Sequence, residues 1–196
     1  MTHTLRRLLP KGGTLPAAEW EHRHRALLVL LWLNVFGLGA YGLADGYGLG
    51  HTALHAGALL GFAVVGSLPR LTRLVRSMSV SLGLLTAAAL LVHVTGGLIE
   101  AHFYFFVMIV VLTLYEDWRP FLVAVAYVLL HHGIVGTLDP HQVYNRPEAW
   151  AHPWMWAGIH ALFVAGAASG RSPPGGSTRT SATGCSPLRR SSRPRR

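Results

Sequence analysis

Twelve histidines are spread over 196 residues. Imidazole is the commonest protein metal ligand, an axial ligand for haem iron and the side chain that titrates near neutral pH. His3, His22 and His24 precede the first long apolar block and read as ordinary residues of a polar segment. His141 and His152 sit in a polar connection, while His51, His55, His93, His102, His131, His132 and His160 lie near the ends of apolar blocks. If those blocks are membrane helices rising about 1.5 Å per residue, the helical histidines share one layer within about 10 Å of a single surface. The expected constellation is His93, His102, His132 and His160, drawn from four helices, with Glu100 and His131 as further metal candidates. Glu100 has the alternative role of accepting the second N–H of a ligating histidine. The cofactors that suit such a set are haem b or a transition metal, Cu, Fe or Zn. The competing reading is a hydrogen-bonded, titratable histidine layer that binds nothing.

Spacing sorts the candidates further. His51 and His55 are four apart and share a helix face, as a ligand pair requires, although a polar turn at the solvent edge also explains them. Glu100 and His102 are two apart and point to different sides of a regular helix. His131 and His132 diverge by about 100°, so one is expected to face the bundle and the other a neighbour or lipid headgroups. Phe103, Tyr104, Phe105 and Phe106 read either as the wall of a cofactor site or as packing and lipid-facing surface. The single cysteine, Cys185, excludes an intramolecular disulfide and a cysteine metal cluster. The sequence contains no phosphate-binding glycine loop with its lysine, no serine nucleophile motif and no paired carboxylates, so catalytic residues are not expected.

The elements that must position these residues are apolar helices. The chain is 51% hydrophobic and only 13% charged, with a mean hydropathy of +0.37. Soluble domains carry about 25% charged residues, so a membrane protein fits better. Six blocks qualify: 26–44, 51–68, 78–97, 101–115, 120–138 and 153–170. The expected fold is therefore all-α, a polytopic bundle of six transmembrane helices. The fourth block is the shortest and needs Leu98 and Ile99 at its start. The expected organisation is a cytoplasmic segment 1–25, a membrane domain 26–170 and a disordered Arg/Ser/Pro-rich cytoplasmic tail 171–196.

The net charge of +9 is concentrated before block one, at Arg70, Arg73 and Arg76, and in the tail. That placement matches cytoplasmic loops beside membrane helices and argues against nucleic-acid binding. It predicts both termini in the cytoplasm and the histidine layer near the outer face. Gly37, Gly39, Gly57, Gly61, Gly96, Gly97, Gly133 and Gly136 suit close helix approach, and Asp117 with Arg119 suits an exposed ion pair.

The stretch TGGLIEAHFYFFVMIVVLTLYEDWRPFLVAVAYVLLHHGIVG, residues 95–136, is followed by DPHQVYNRP and by AHPWMWAGIHALFVAG at 151–166. It resembles the N-terminal multi-span sensor region of bacterial signalling proteins with diguanylate cyclase, phosphodiesterase, histidine kinase or chemotaxis-transducer outputs. The likeness covers residues 26–168 and rests on Glu100, His102, Phe103, Phe105, Phe106, Tyr115, Asp117, Trp118, Arg119, His131, His132, Gly133 and His160. It implies signal input rather than catalysis, in a bacterial inner membrane, with the lipid bilayer, a homodimer partner and a separate cytoplasmic output as partners. Members of that group continue from the last helix into an output domain, whereas this chain turns to Arg/Ser/Pro sequence after Ala168. The expectation is a truncated or frameshifted product, or a stand-alone module. A membrane haem or metal redox enzyme and a small ion or metal transporter are the rival functions.

Overall fold

A computed structural model describes residues 15–169, so the calls on the first 14 residues and on the tail from 170 lie outside the described residues. Helix α1 spans Ala17–Ala44, α2 Leu49–Ser67, α3 Arg73–Val94 and α4 Ile99–Leu112, the last closed by a 3-10 turn at Thr113–Tyr115. Helix α5 spans Trp118–Leu138. A 3-10 turn at Pro140–Gln142 and the short α6, Pro147–Ala151, lead into α7, Pro153–Ser169. No strand occurs among the described residues.

The first helix begins at Ala17, not near Ala26, because Trp20, His24, Leu27, Leu31 and Val35 form one continuous buried stripe. Their three- and four-residue spacing is the helical period, and it carries the helix through the charged turns holding Glu19, Glu21, Arg23 and Arg25. Four helices, α1, α2, α3 and α5, are long and apolar enough to cross a membrane. The fourth and sixth expected blocks form the shorter α4 and α7.

Helix α3 is the central post, touching α1, α2, α4 and α5. Its apolar stretch is 67% buried, against 28% for α1 and 22% for α2. Small residues permit this: Ser77, Ser79, Ser81, Gly83, Ala87 and Ala88 let neighbouring backbones approach. The serines are satisfied, Ser79 donating to the Phe62 carbonyl on α2 at 2.8 Å and Ser81 to that of Ser77 at 2.7 Å. Outward-facing Phe36, Leu54, Phe103, Val110 and Leu162 are well exposed, as lipid-facing side chains of such a bundle are.

Caps and glycines set the ends. Thr72 Oγ1 accepts from the Val75 N–H to start α3, and Asp117 Oδ1 accepts from the Arg119 N–H to start α5. The expected Asp117–Arg119 pair forms at 2.6 Å, with the carboxylate largely covered rather than exposed. Gly97 has φ +76, and a Cβ there would lie 3.0 Å from the His141 carbonyl oxygen, so the turn after α3 is open only to glycine. Of the other glycines, Gly37, Gly57 and Gly61 face open space, whereas Gly133 and Gly136 do sit at a tight helix contact. The short connections bring residues 45–48, 95–98 and 139–152 to one end, the histidine end, where Tyr47 Oη donates to the Val94 carbonyl at 2.8 Å. The connections 68–72 and 113–117 meet the start of α1 at the other, the arginine end.

Candidate functional site

Three of the four histidines of the expected constellation come together. His102 on α4, His132 on α5 and His160 on α7 have ring centroids 5.6 Å, 5.9 Å and 4.8 Å apart, for the 102–132, 102–160 and 132–160 pairs. Phe105 packs edge-on to His132 at 5.2 Å, and Tyr144 approaches both His132 and His160. Of the aromatic run, Phe105 walls the site and Phe103 faces outward.

The backbone fixes the tautomers. His102 Nδ1 lies 3.0 Å from the Leu98 carbonyl and His160 Nδ1 2.8 Å from the Trp156 carbonyl, each one turn back. A carbonyl only accepts, so both Nδ1 atoms carry the proton and both Nε2 atoms keep a free lone pair. Nε2 of His102 is buried with no partner. His132 is 1% exposed, and its ring nitrogens make no hydrogen bond of ordinary geometry, only a loose approach to the Val128 carbonyl one turn back. Three imidazoles from three helices thus converge, His102 and His132 buried and His160 half-buried. Buried polar atoms without partners are rare, and each calls for a strain or ligand explanation.

The packing that creates the convergence is local. Helix α5 lies along α7. At Gly133 an added Cβ would meet the Trp154 ring at 2.4 Å, and at Gly136 the Tyr144 ring at 2.7 Å. The loop 139–146 closes over this end: Val143 and Tyr144 are buried, and Trp150 Nε1 donates to the Tyr144 carbonyl at 2.7 Å. The Tyr144 hydroxyl is 3.3 Å from the carbonyls of His132 and Pro153. Burial pushes its phenol above the ordinary value.

His93 does not join this group. It stands on the face of α3 that meets α2, and its ring contacts are with His51 and His55. Four helices cannot all present one face to a point when the central post is gripped from several sides, and position 93 is claimed by α2. Glu100 is exposed and contributes nothing to the triad, since a two-residue spacing from buried His102 turns it outward. His131 takes the neighbouring direction, stacked on Tyr127 at 5.7 Å with its Nδ1 unpartnered. It lines an apolar groove of about 430 Å³ with Leu82, Leu130 and Ile134.

One site escaped the sequence reading. His24, expected to be ordinary, is fully buried at the arginine end. Its Nε2 donates to the Gly66 carbonyl at 3.0 Å and its Nδ1 accepts from the Tyr115 hydroxyl at 2.8 Å. Trp20 stacks on it at 4.6 Å, with the Arg76 guanidinium over the indole at 5.0 Å. Arg76 pairs with both Glu21 oxygens at 3.0 Å and 3.1 Å and also donates to Gly66. Arg23 bridges to Glu116 at 2.7 Å and to the Leu114 carbonyl. This network ties α1, α2, α3 and the turn after α4 together. The helical stripe through Trp20, His24 and Leu27 was the signal that could have found it.

The chain is similar to an archaeal transducer. It is 37% identical over 170 residues to "Transducer protein Htr8" of Halobacterium salinarum, a match covering 79% of this chain and 26% of that protein. The chain thus spans about a quarter of the length of the curated relative it matches. The relative is archaeal, so it lends no support to a bacterial source. No protein-family model and no solved structure matches the chain.

Proposed function

We propose that this chain is the membrane-embedded sensory input region of a transducer-type signalling protein, with its input at a transition metal held by His102, His132 and His160. The convergence of three imidazoles with free nitrogens, from α4, α5 and α7, carries the reading. Similarity to a transducer supports the signalling role and a non-enzymatic chain. In this reading all six apolar helices cross the bilayer, α4 and α7 being short crossings. Both termini face the cytoplasm and the histidine end faces outward, because the arginine end carries Arg23, Arg73, Arg76 and Arg119.

Three neutral nitrogens without an anionic partner suit Cu, Zn or Fe rather than Mg or Ca. His102 and His160 would bind through Nε2, each oriented by the backbone carbonyl that holds its Nδ1–H. Haem is the alternative occupant, for which two of the three imidazoles would supply iron ligands. Occupancy would bind α4, α5 and α7 together at the histidine end and so favour one of two helix packings. Helices α1 and α7 would carry the difference to an output at the arginine end.

The test is metal analysis and an absorption spectrum of detergent-purified protein beside His102→Ala and His132→Ala. Stoichiometric metal, or a Soret band, lost in both variants is the expected result. A wild type free of metal and haem in both oxidised and reduced preparations would leave only a titratable layer. Turnover with a quinol, or ion flux in liposomes, would move the chain to the rival classes. Reporter fusions at residues 47, 96 and 146 should all report the outer side.

A further inference from the structure

We infer that His51, His55 and His93 form a second, separate site for a zinc-class divalent cation, clamping α2 to α3 at the solvent edge of the histidine end. One donor nitrogen from each of the three side chains lies within 4.8 Å of the others. The ring centroids are 4.2 Å, 5.4 Å and 5.0 Å apart for the 51–55, 51–93 and 55–93 pairs. Two of the donors are already at ligand spacing: Nε2 of His93 is 3.3 Å from Nε2 of His51. In a tetrahedral site with metal–nitrogen bonds of about 2.0–2.1 Å, adjacent donors stand about 3.3–3.4 Å apart. Without metal, the same contact serves as an N–H to N hydrogen bond between neutral rings.

The surroundings suit a three-imidazole site with an open fourth position. His51 is exposed and His55 and His93 half-buried, so the site has a path from water. Tyr47 stacks on His51 at 5.3 Å and is itself anchored to Val94. Beside the rings is a cleft of about 10 Å³ lined by Gly42, Tyr47, Thr52 and His55, room for about one water. The Thr52 hydroxyl is buried there without a partner and can hold a metal-bound water. On the other side the Gln142 side chain reaches His93 and donates to Asp139, a polar second layer that orients the ring. The donors are all nitrogen, which selects zinc, copper or cobalt over calcium or magnesium. This site is independent of the His102 triad and does not require it to bind metal.

Titration of the full chain in detergent with Co²⁺, followed by its visible absorption, tests the inference. In the His132→Ala background, where the proposed triad has lost a ligand, one equivalent should give the intense bands of four-coordinate cobalt, displaced by Zn²⁺. His51→Ala and His93→Ala should each weaken binding at least about 100-fold. Retention of these bands in the His132→Ala background separates the site from the proposed triad. Circular dichroism and gel filtration of the variants guard against misfolding, and His55→Gln, at a half-buried position, supplies a gentler third variant. The inference is overturned if Co²⁺ gives only weak six-coordinate bands, or if its binding survives both His51→Ala and His93→Ala. It is equally overturned if the signal disappears in His132→Ala alone.

Discussion

The arginine end and the histidine end both bury imidazoles, but they treat them in opposite ways. At the arginine end His24 has both nitrogens engaged, one with Gly66 and one with Tyr115, beneath a stacked Trp20. At the histidine end His132 is as deeply buried and makes no hydrogen bond of ordinary geometry, only a loose approach to the Val128 carbonyl. A satisfied buried histidine stabilises by its hydrogen bonds, whereas an unsatisfied one costs free energy unless something else supplies the partner. The contrast therefore separates a structural clasp from the proposed binding site without reference to ring position or depth alone.

The largest expected effect tests that separation directly. His24→Ala removes two hydrogen bonds and a stacked ring, leaving the Tyr115 hydroxyl without its acceptor, and should cost about 2–4 kcal/mol. In metal-free protein His132→Leu removes no hydrogen bond of ordinary geometry and relieves poorly paired buried nitrogens, so it should change stability by about 1 kcal/mol or less. Thermal unfolding in detergent with a chelator present reads both. Equal destabilisation by the two substitutions would erase the distinction. With metal restored, only His132→Leu should lose the extra stabilisation that ligand binding confers.

Charged residues at the two ends should diverge in the same direction by smaller amounts. Arg76→Met breaks a pair with Glu21, a bond to Gly66 and a cation–π contact. Because Glu21 is 38% exposed, water takes over much of its half of the pair, and about 1–2 kcal/mol is expected. Glu100→Gln at the other end alters an exposed residue and should change stability by about 0.5 kcal/mol or less. It should also leave metal content intact, since Glu100 lies outside the triad; lost metal would place it back among the ligands.

A substitution in the helix seam sharpens the role of the histidine end. Gly133→Ala sets a methyl against the Trp154 ring, which is half exposed and able to swing away. Stability should fall by about 1 kcal/mol, while metal affinity at His132 and His160 should fall at least about 10-fold as α5 and α7 move apart. Unchanged affinity would mean that the seam does not set the geometry of the triad.

Much of this was legible in the amino-acid sequence where one period dominates. The apolar blocks located every long helix, and the i, i+4 spacing of His51 and His55 put them on one face. The shared depth of His102, His132 and His160 followed from their distance to block ends. Which depth-matched rings meet depends on the rotation of each helix about its axis, set by glycine contacts such as Gly133 against Trp154. That is why spacing alone does not reveal that the His93 ring meets His51 and His55 rather than His102. His24 was missed for a different reason: charges at Arg23 and Arg25 masked the apolar stripe that continues through them.

The smallest effect concerns the two buried tyrosines and depends on pH. Tyr115→Phe removes a 2.8 Å bond to His24 and should cost about 1 kcal/mol. Tyr144 shares its proton between two carbonyls at 3.3 Å, both weak contacts, so Tyr144→Phe should cost about 0.5 kcal/mol at neutral pH. Burial raises the Tyr144 phenol above its unfolded value of about 10. A group whose folded value is raised contributes its full stabilisation below the unfolded value and loses it as pH rises toward the folded one. The difference between wild type and Tyr144→Phe should thus stay constant from pH 6 to about 10, then shrink and reverse above it, because the unfolded wild type gains a phenolate that the folded state excludes. Unfolding curves across that range read the crossing point directly. A difference that grew with alkalinity would mean the phenolate is welcome in the folded loop, and that the cover over His132 and His160 is wet.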